Sequence, residues 1–382
     1  MAKPKWQTML IKAGFAFAAM LISALILEAF FTLFLPQRAD FDYRCFDEDL
    51  GWRYKPSQNI TFRNYRDLDQ KPEYTVFETN SAGFRDDETP VERPAGEKRI
   101  MVLGDSSVAG LAVEKDERFT EVLEEELGRA GLKANVLNAG IHEYGSYQEM
   151  AYYLTEGIRY DPGIVILGFY AENDLFDNCD ESRGISFADE GGVLVPQITK
   201  KKQEPAIQGF FRRSQVFSFL VRLSYQPGIR KIIGRFGLVK TSGEDLESLY
   251  KTDESEGMSL CMNETIENIY LFSRTLEMQG TGFILMIIED KKQMDPAEFG
   301  KYIRELGLAP GEVDPLKINR RFGALKERGV LVLDLYDVLK EYEDKNFYFT
   351  YDHHWNSRAH GIVGQALAEF IASDPVLSGK LD

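Results

Sequence analysis

A hydroxyl becomes a nucleophile when a base takes its proton, a third group orients that base, and donors meet the charge that develops on the attacked carbonyl. Four histidines could supply the base: His142, His353, His354 and His360. Asp352 precedes His354 by two residues, just ahead of a helix that Asn356 is placed to cap, so one loop can present a carboxylate and an imidazole together. Asp352 and His354 are the economical pair. For the hydroxyl, Ser106 stands in the run Gly104-Asp105-Ser106-Ser107, directly behind an apolar stretch at residues 100–103. Asp105 reads as a turn residue and Ser107 as a neighbour without a chemical role. Two further turns, Asn138-Ala139-Gly140 and Ala171-Glu172-Asn173-Asp174, also follow apolar stretches.

Elements of the right kind surround these turns. Residues 100–103, 134–137, 164–169, 282–288 and 329–333 read as apolar strands. Helical spacing runs through 118–129, 146–160 and 357–372. Strands alternating with helices predict a parallel sheet covered on both faces. In such a sheet ligands bind at the carboxyl ends of the strands, and all three turns fall on that edge.

In these residues the chain resembles the SGNH, or GDSL-type, hydrolases over roughly residues 98–372. Gly104-Asp105-Ser106 is similar to the first motif block. The resemblance implies Ser106 as nucleophile, with its backbone amide as one oxyanion donor. Gly140 resembles the second-block glycine, whose amide is a second donor, and Asn173 the third-block asparagine, whose side-chain amide is a third. The family often has glycine where Glu172 stands. Asp352-His353-His354-Trp355-Asn356 resembles the last block, in which aspartate orients and histidine is the base. Family spacing selects His354 over His353, and the His354-Trp355 pair resembles the alginate O-acetylation branch. His142, Glu172 and Trp355 are expected to face substrate. His360 is expected on the closing helix, in a surface or packing role. The implied fold is a three-layer α/β sandwich with a five-stranded, flavodoxin-like parallel sheet, and the implied chemistry needs neither metal nor cofactor.

Before this domain, residues 9–36 are almost entirely apolar, longer than the roughly 20 residues a helix needs to cross a bilayer. Lys3, Lys5 and Lys12 lie before or at its start, and Asp40, Asp42, Asp47 and Glu48 follow it. The positive-inside rule then predicts a single-pass protein with residues 1–8 in the cytoplasm and the body periplasmic or extracellular. Glu28 interrupts the apolar run, either at the headgroups or against another membrane protein. Residues 37–97 read as a membrane-proximal collar and 98–382 as the hydrolase domain.

An insertion at 176–262 has no place in the alternation. Within it, residues 200–240 hold ten lysines and arginines against the single acid Glu204, interleaved with aromatic and aliphatic residues. That composition fits either an interfacial helix or a packed lid. Of three cysteines, Cys179 and Cys261 could pair outside the cytoplasm, leaving Cys45.

With 28% charged and 44% hydrophobic residues the 382-residue chain is an ordinary folded protein. Its net charge of −16 argues against nucleic acid as a partner. The expected function is hydrolysis of an ester or O-acyl bond on a small molecule or polysaccharide. One alternative is an O-acetyltransferase acting on a surface polysaccharide beside a multi-span membrane acyl donor. Another is a non-catalytic subunit of a membrane complex.

Overall fold

The computed structural model describes residues 5–34, 43–64, 73–111, 113–171, 173–202, 214–224, 249–349 and 354–381. An apolar helix, α1 (Lys5–Phe34), comes first, then the antiparallel pairs β1 (Arg44–Asp47) with β2 (Gly51–Tyr54) and β3 (Asn59–Asn64) with β4 (Glu73–Glu78). The alternation follows as β5 (Arg99–Gly104), α2 (Ser106–Ala109), α3 (Phe119–Arg129), β6 (Asn135–Gly140), α4 (Ser146–Thr155), β7 (Ile164–Tyr170) and α5 (Asp174–Cys179). After a hairpin of β8 (Ile185–Asp189) and β9 (Leu194–Ile198) come α6 (Gln215–Ser224), α7 (Glu256–Met278), β10 (Gly282–Ile288), β11 (Leu331–Asp334) and α8 (Ser357–Ser373).

Five strands form the central sheet in the order β11-β10-β7-β5-β6, and every pairing in it is parallel. Taken in chain order this is the flavodoxin-like 2-1-3-4-5 arrangement, whose switch point lies between the first and third strands. Both faces are buried, which is why these strands read as unbroken apolar runs rather than as alternating ones. Ile100, Val102, Ile164, Ile166, Ile284 and Met286 face one core with α3 and α8. Met101, Leu103, Val165, Leu167, Leu285 and Ile287 face the other with α4 and α7. The expected three layers follow from that alternation.

The residues group into two compact units, one comprising 43–201 with 243–382 and the other 1–42 with 202–242. Residues 43–97 of the expected membrane-proximal collar (37–97) fall in the same compact unit as the sheet. The expected insertion is also shorter than the 176–262 read from the sequence. Residues up to Cys179 are α5, and from Glu256 onward α7 covers the sheet, with Met262, Ile269, Phe272 and Leu276 buried. Cys179 and Cys261 are disulfide-bonded, with Cα atoms 5.8 Å apart, and Cys45 is free and exposed.

In the other unit, residues 11–34 of α1 are long and apolar enough to cross a bilayer. Glu28 is not left bare there. Its carboxylate accepts hydrogen bonds from Ser214 Oγ at 2.7 Å, Gln215 N at 2.5 Å and Val216 N at 3.2 Å, so it caps the start of α6. Phe31, one turn on, packs its ring 4.7 Å from that of Phe219. Glu28 therefore has a partner within its own chain. Most of the basic residues of 200–240 lie outside the described residues.

Candidate active site

Where β5 ends, the chain turns within one residue into α2, and this is the tightest packing around the site. Asp105 caps the helix through Oδ1, which accepts from Ser107 N at 2.8 Å. Helix α2 then lies against Gly104 and Gly140, which close β5 and β6, and Gly168, near the end of β7. A Cβ on Gly104 would meet Val108 Cγ2 at 2.1 Å, one on Gly168 the same atom at 2.9 Å, and one on Gly140 the Ala109 nitrogen at 2.3 Å. Only glycine leaves room at these three positions, so α2, which carries Ser106, packs directly on the strands. Asn138 adds a polar tie, donating from Nδ2 to Val108 O at 2.8 Å.

The base arrives from the far end of the chain. His354 Nε2 lies 2.8 Å from Ser106 Oγ, across 248 residues of sequence. Around His354 the chain doubles back on itself. Tyr348 bridges Trp355, Phe349 N donates to His354 O at 3.1 Å, and Asn356 N donates to Phe347 O at 2.8 Å. The doubled chain is fastened to β10 through Glu289, whose Oε1 accepts from Tyr348 Oη at 2.8 Å and Trp355 Nε1 at 3.2 Å. Burial pushes the Glu289 carboxyl up to about 8, so it is held mostly neutral at pH 7.

The sequence candidates divide as follows. Ser106 and His354 are brought together, and His142 stands beside them with its ring 6.5 Å from that of His354. Asn173 begins α5 at the end of β7, the strand next to β5. Its Nδ2 donates to Asp177 Oδ2 at 2.8 Å, which leaves the second amide hydrogen for another acceptor. Gly140 closes β6 as expected, but its N–H donates to Asn138 Oδ1 at 3.1 Å and can serve an oxyanion only by sharing that bond. Asp352, His353 and Glu172 lie outside the described residues.

Trp355 corrects the expectation of a substrate contact. It is 2% exposed and packs edge-on against Phe119 and His360, because its indole N–H is drawn inward to Glu289. His360 is a packing residue, buried and stacked on the Phe119 ring, with Nδ1 accepting from Phe119 N at 3.2 Å.

Interacting electrostatically with Asp105 of the nucleophile turn is a group of acids, of which sequence reasoning did not single out Glu149 and Asp177. Glu149 is 1% exposed, and neither of its carboxyl oxygens has a hydrogen-bond partner among the described residues. Burial raises it well above the usual carboxyl range, and Asp105 and Asp177 add to the effect. Burial raises Asp174 as strongly, with Glu149 and Asp105 adding to it, and raises Asp105 itself. Glu289 was missed too, although it directly follows β10 on the same carboxyl edge used to find the other turns.

The sheet order and a serine–histidine contact at its carboxyl edge match the arrangement expected from the resemblance to SGNH, or GDSL-type, hydrolases. More narrowly, residues 247–380 match the family described as the SGNH hydrolase-like domain of acetyltransferase AlgX. That segment contains Asp352, His354 and Glu289 but not Ser106. No curated protein matches the chain. Among solved structures, a lipase/acylhydrolase from Enterococcus faecalis is similar at 14% identity over 72% of this chain and 95% of its own, with a TM-score of 0.39. An acetylxylan esterase from Geobacillus stearothermophilus is similar at 10% identity over 72% and 93%, with a TM-score of 0.40.

Proposed function

We propose that this protein cleaves an ester or O-acyl bond through an acyl-Ser106 intermediate. The observation that carries the reading is the 2.8 Å contact between Ser106 Oγ and His354 Nε2. Ser106 Oγ attacks the acyl carbonyl while His354 Nε2 takes its proton, and His354 then returns the proton to the departing alkoxide. Asp352 orients the imidazole. The Ser106 amide, in the first turn of α2, and the Asn173 side chain hold the oxyanion, with Gly140 sharing its N–H. A water molecule activated by His354 releases the acyl group as the acid. His142, whose ring is near that of His354, lines the approach to the pair.

A second reading changes only the acceptor: a sugar hydroxyl takes the place of water and the enzyme is an O-acetyltransferase, fed by a membrane acyl donor. The AlgX-type acetyltransferase match over residues 247–380 favours it. On either reading the site works outside the cytoplasmic membrane, anchored by α1. The Cys179–Cys261 disulfide supports an oxidising compartment.

The test is Ser106→Ala. The variant should fold, lose turnover of p-nitrophenyl acetate by several orders of magnitude and no longer react with a fluorophosphonate. Undiminished labelling of the folded variant would remove Ser106 from the mechanism. Acetyl transfer to an added oligosaccharide, against release of free acetate, separates the two acceptors.

A further inference from the structure

The short helix α5 is fixed from three directions. Asn178 Oδ1 accepts from Tyr147 N at 3.0 Å, and its Nδ2 donates to Ser146 Oγ at 2.8 Å, which ties the helix to the start of α4. At its far end Cys179 is bonded to Cys261 on α7. Between these ties sits Asp177. One of its oxygens accepts from Asn173 Nδ2 at 2.8 Å, and the other pairs with Arg183. Arg183 is held in turn by Glu143 O at 2.9 Å and by Gln148 Oε1, with its guanidinium over the Trp52 ring. Gly145 passes so close that a Cβ there would meet the Asp177 Cβ at 2.5 Å, so this carboxylate has little room to move.

An asparagine side chain can turn either its oxygen or its NH2 towards a neighbour, and hydrogen-bond partners decide which. The Oδ1 of Asn173 is buried with no partner among the described residues, so the choice falls to the group facing the other atom. That group is an ionised carboxylate, which only accepts. It attracts the NH2 and repels the amide oxygen, which leaves the remaining N–H of the same NH2 for another acceptor.

We propose that Asp177, backed by Arg183, is a positioning residue that fixes the Asn173 amide with its N–H available to the oxyanion formed at Ser106. This rests on the reading of Asn173 as an oxyanion donor. A neutral group at 177 both donates and accepts, so it tolerates the flipped amide, which presents an oxygen to the developing negative charge. Burial pushes Asp177 up to about 6 against the opposing pull of Arg183. The other groups around it are Asp105 at the nucleophile turn, Glu149 on α4, Asp174 on its own helix and Glu143 in the loop after β6. Acid therefore does to the native protein what Asp177→Asn does at every pH.

The experiment uses the full chain in detergent with p-nitrophenyl acetate at saturation, comparing native protein, Asp177→Asn, Asn173→Ala and the double variant from pH 5 to 8. The native kcat should exceed that of Asp177→Asn by about 10- to 100-fold at pH 8, with KM little changed. The ratio should fall towards one at pH 5, and any effect of acid common to both proteins cancels in it. In the Asn173→Ala background the Asp177→Asn change should have no further effect. Equal reductions by Asp177→Asn with and without Asn173 would overturn the positioning role and leave Asn173 as donor. An Asn173→Ala variant with native kcat would instead remove the donor reading itself. If Asp177→Asn does not fold, the ratio of native to Asn173→Ala still decides: it should shrink below pH 6, and a constant ratio from pH 5 to 8 would refute the inference.

Discussion

The nucleophile and the base of this site are held in place by different means. On the nucleophile side the constraint is close packing on glycine: Val108 of α2 sits against Gly104 and Gly168, the α2 backbone sits against Gly140, and Gly140 has no room for a single added carbon. On the base side the constraint is a side chain, Glu289, whose one oxygen receives both the Tyr348 hydroxyl and the Trp355 indole and so fastens the segment around His354. The first arrangement is chiefly steric. The second depends on a carboxyl that titrates near the physiological range, so the two sides should fail in different ways when disturbed.

Between the two sides, the larger effect is expected from Gly140→Ala. Its Cβ would sit 2.3 Å from the Ala109 nitrogen, and because that contact is backbone no rotamer relieves it. The α2 turn has to rise, costing about 1–3 kcal/mol by overpacking, while a displacement of the nucleophile near 1 Å lowers kcat on the order of 100-fold. Esterase turnover and thermal melting of the variant check this. Native turnover would mean that Ser106 is not positioned by the strand ends.

A smaller effect is expected from Glu289→Leu, which leaves the Tyr348 hydroxyl and the Trp355 N–H buried without their acceptor. Each orphaned donor costs about 1–3 kcal/mol, so the variant should melt lower than native. Turnover should fall less than in Gly140→Ala, since the Ser106 turn is untouched. A variant that keeps native stability but loses all turnover would reverse the comparison and make Glu289 part of the chemistry.

How far the sequence disclosed this arrangement follows the same divide. The nucleophile side was legible because a turn that admits only glycine and small residues leaves its mark in consecutive positions, as in Gly104-Asp105-Ser106 and Asn138-Ala139-Gly140. The sheet was legible for a related reason, since strands buried on both faces appear as uninterrupted apolar runs. The base side was legible only in part. Asp352 and His354 stand together in sequence, but Glu289 is 65 residues before His354 and looks like any acid after a strand. Trp355, read as facing substrate, is turned into the core by that same distant carboxyl. Glu149 and Asp177 are likewise ordinary polar positions on helices until tertiary packing removes their water. The partner of Glu28 was hidden because α6 lies nearly 190 residues away.

The subtlest prediction concerns pH alone and uses Glu289→Gln, which keeps an oxygen for Tyr348 and Trp355 but cannot ionise. In the unfolded chain Glu289 titrates near its ordinary value of 4.5, whereas in the folded protein burial moves it up to about 8. Between those values the native state holds a proton that the unfolded state has released. The stability from this group is therefore fully present below about pH 4.5 and is lost as pH rises through 8. The glutamine variant lacks this dependence. Glu149 and Asp174, also raised by burial, act alike in both proteins and cancel in the difference. Melting temperatures of native and Glu289→Gln protein should therefore differ least near pH 5, with the variant gaining steadily on the native protein up to about pH 8 and no further above it. A difference independent of pH across that range would show that Glu289 keeps an ordinary carboxylate in the fold, and the base side would then be fastened by an ion rather than by a neutral acid.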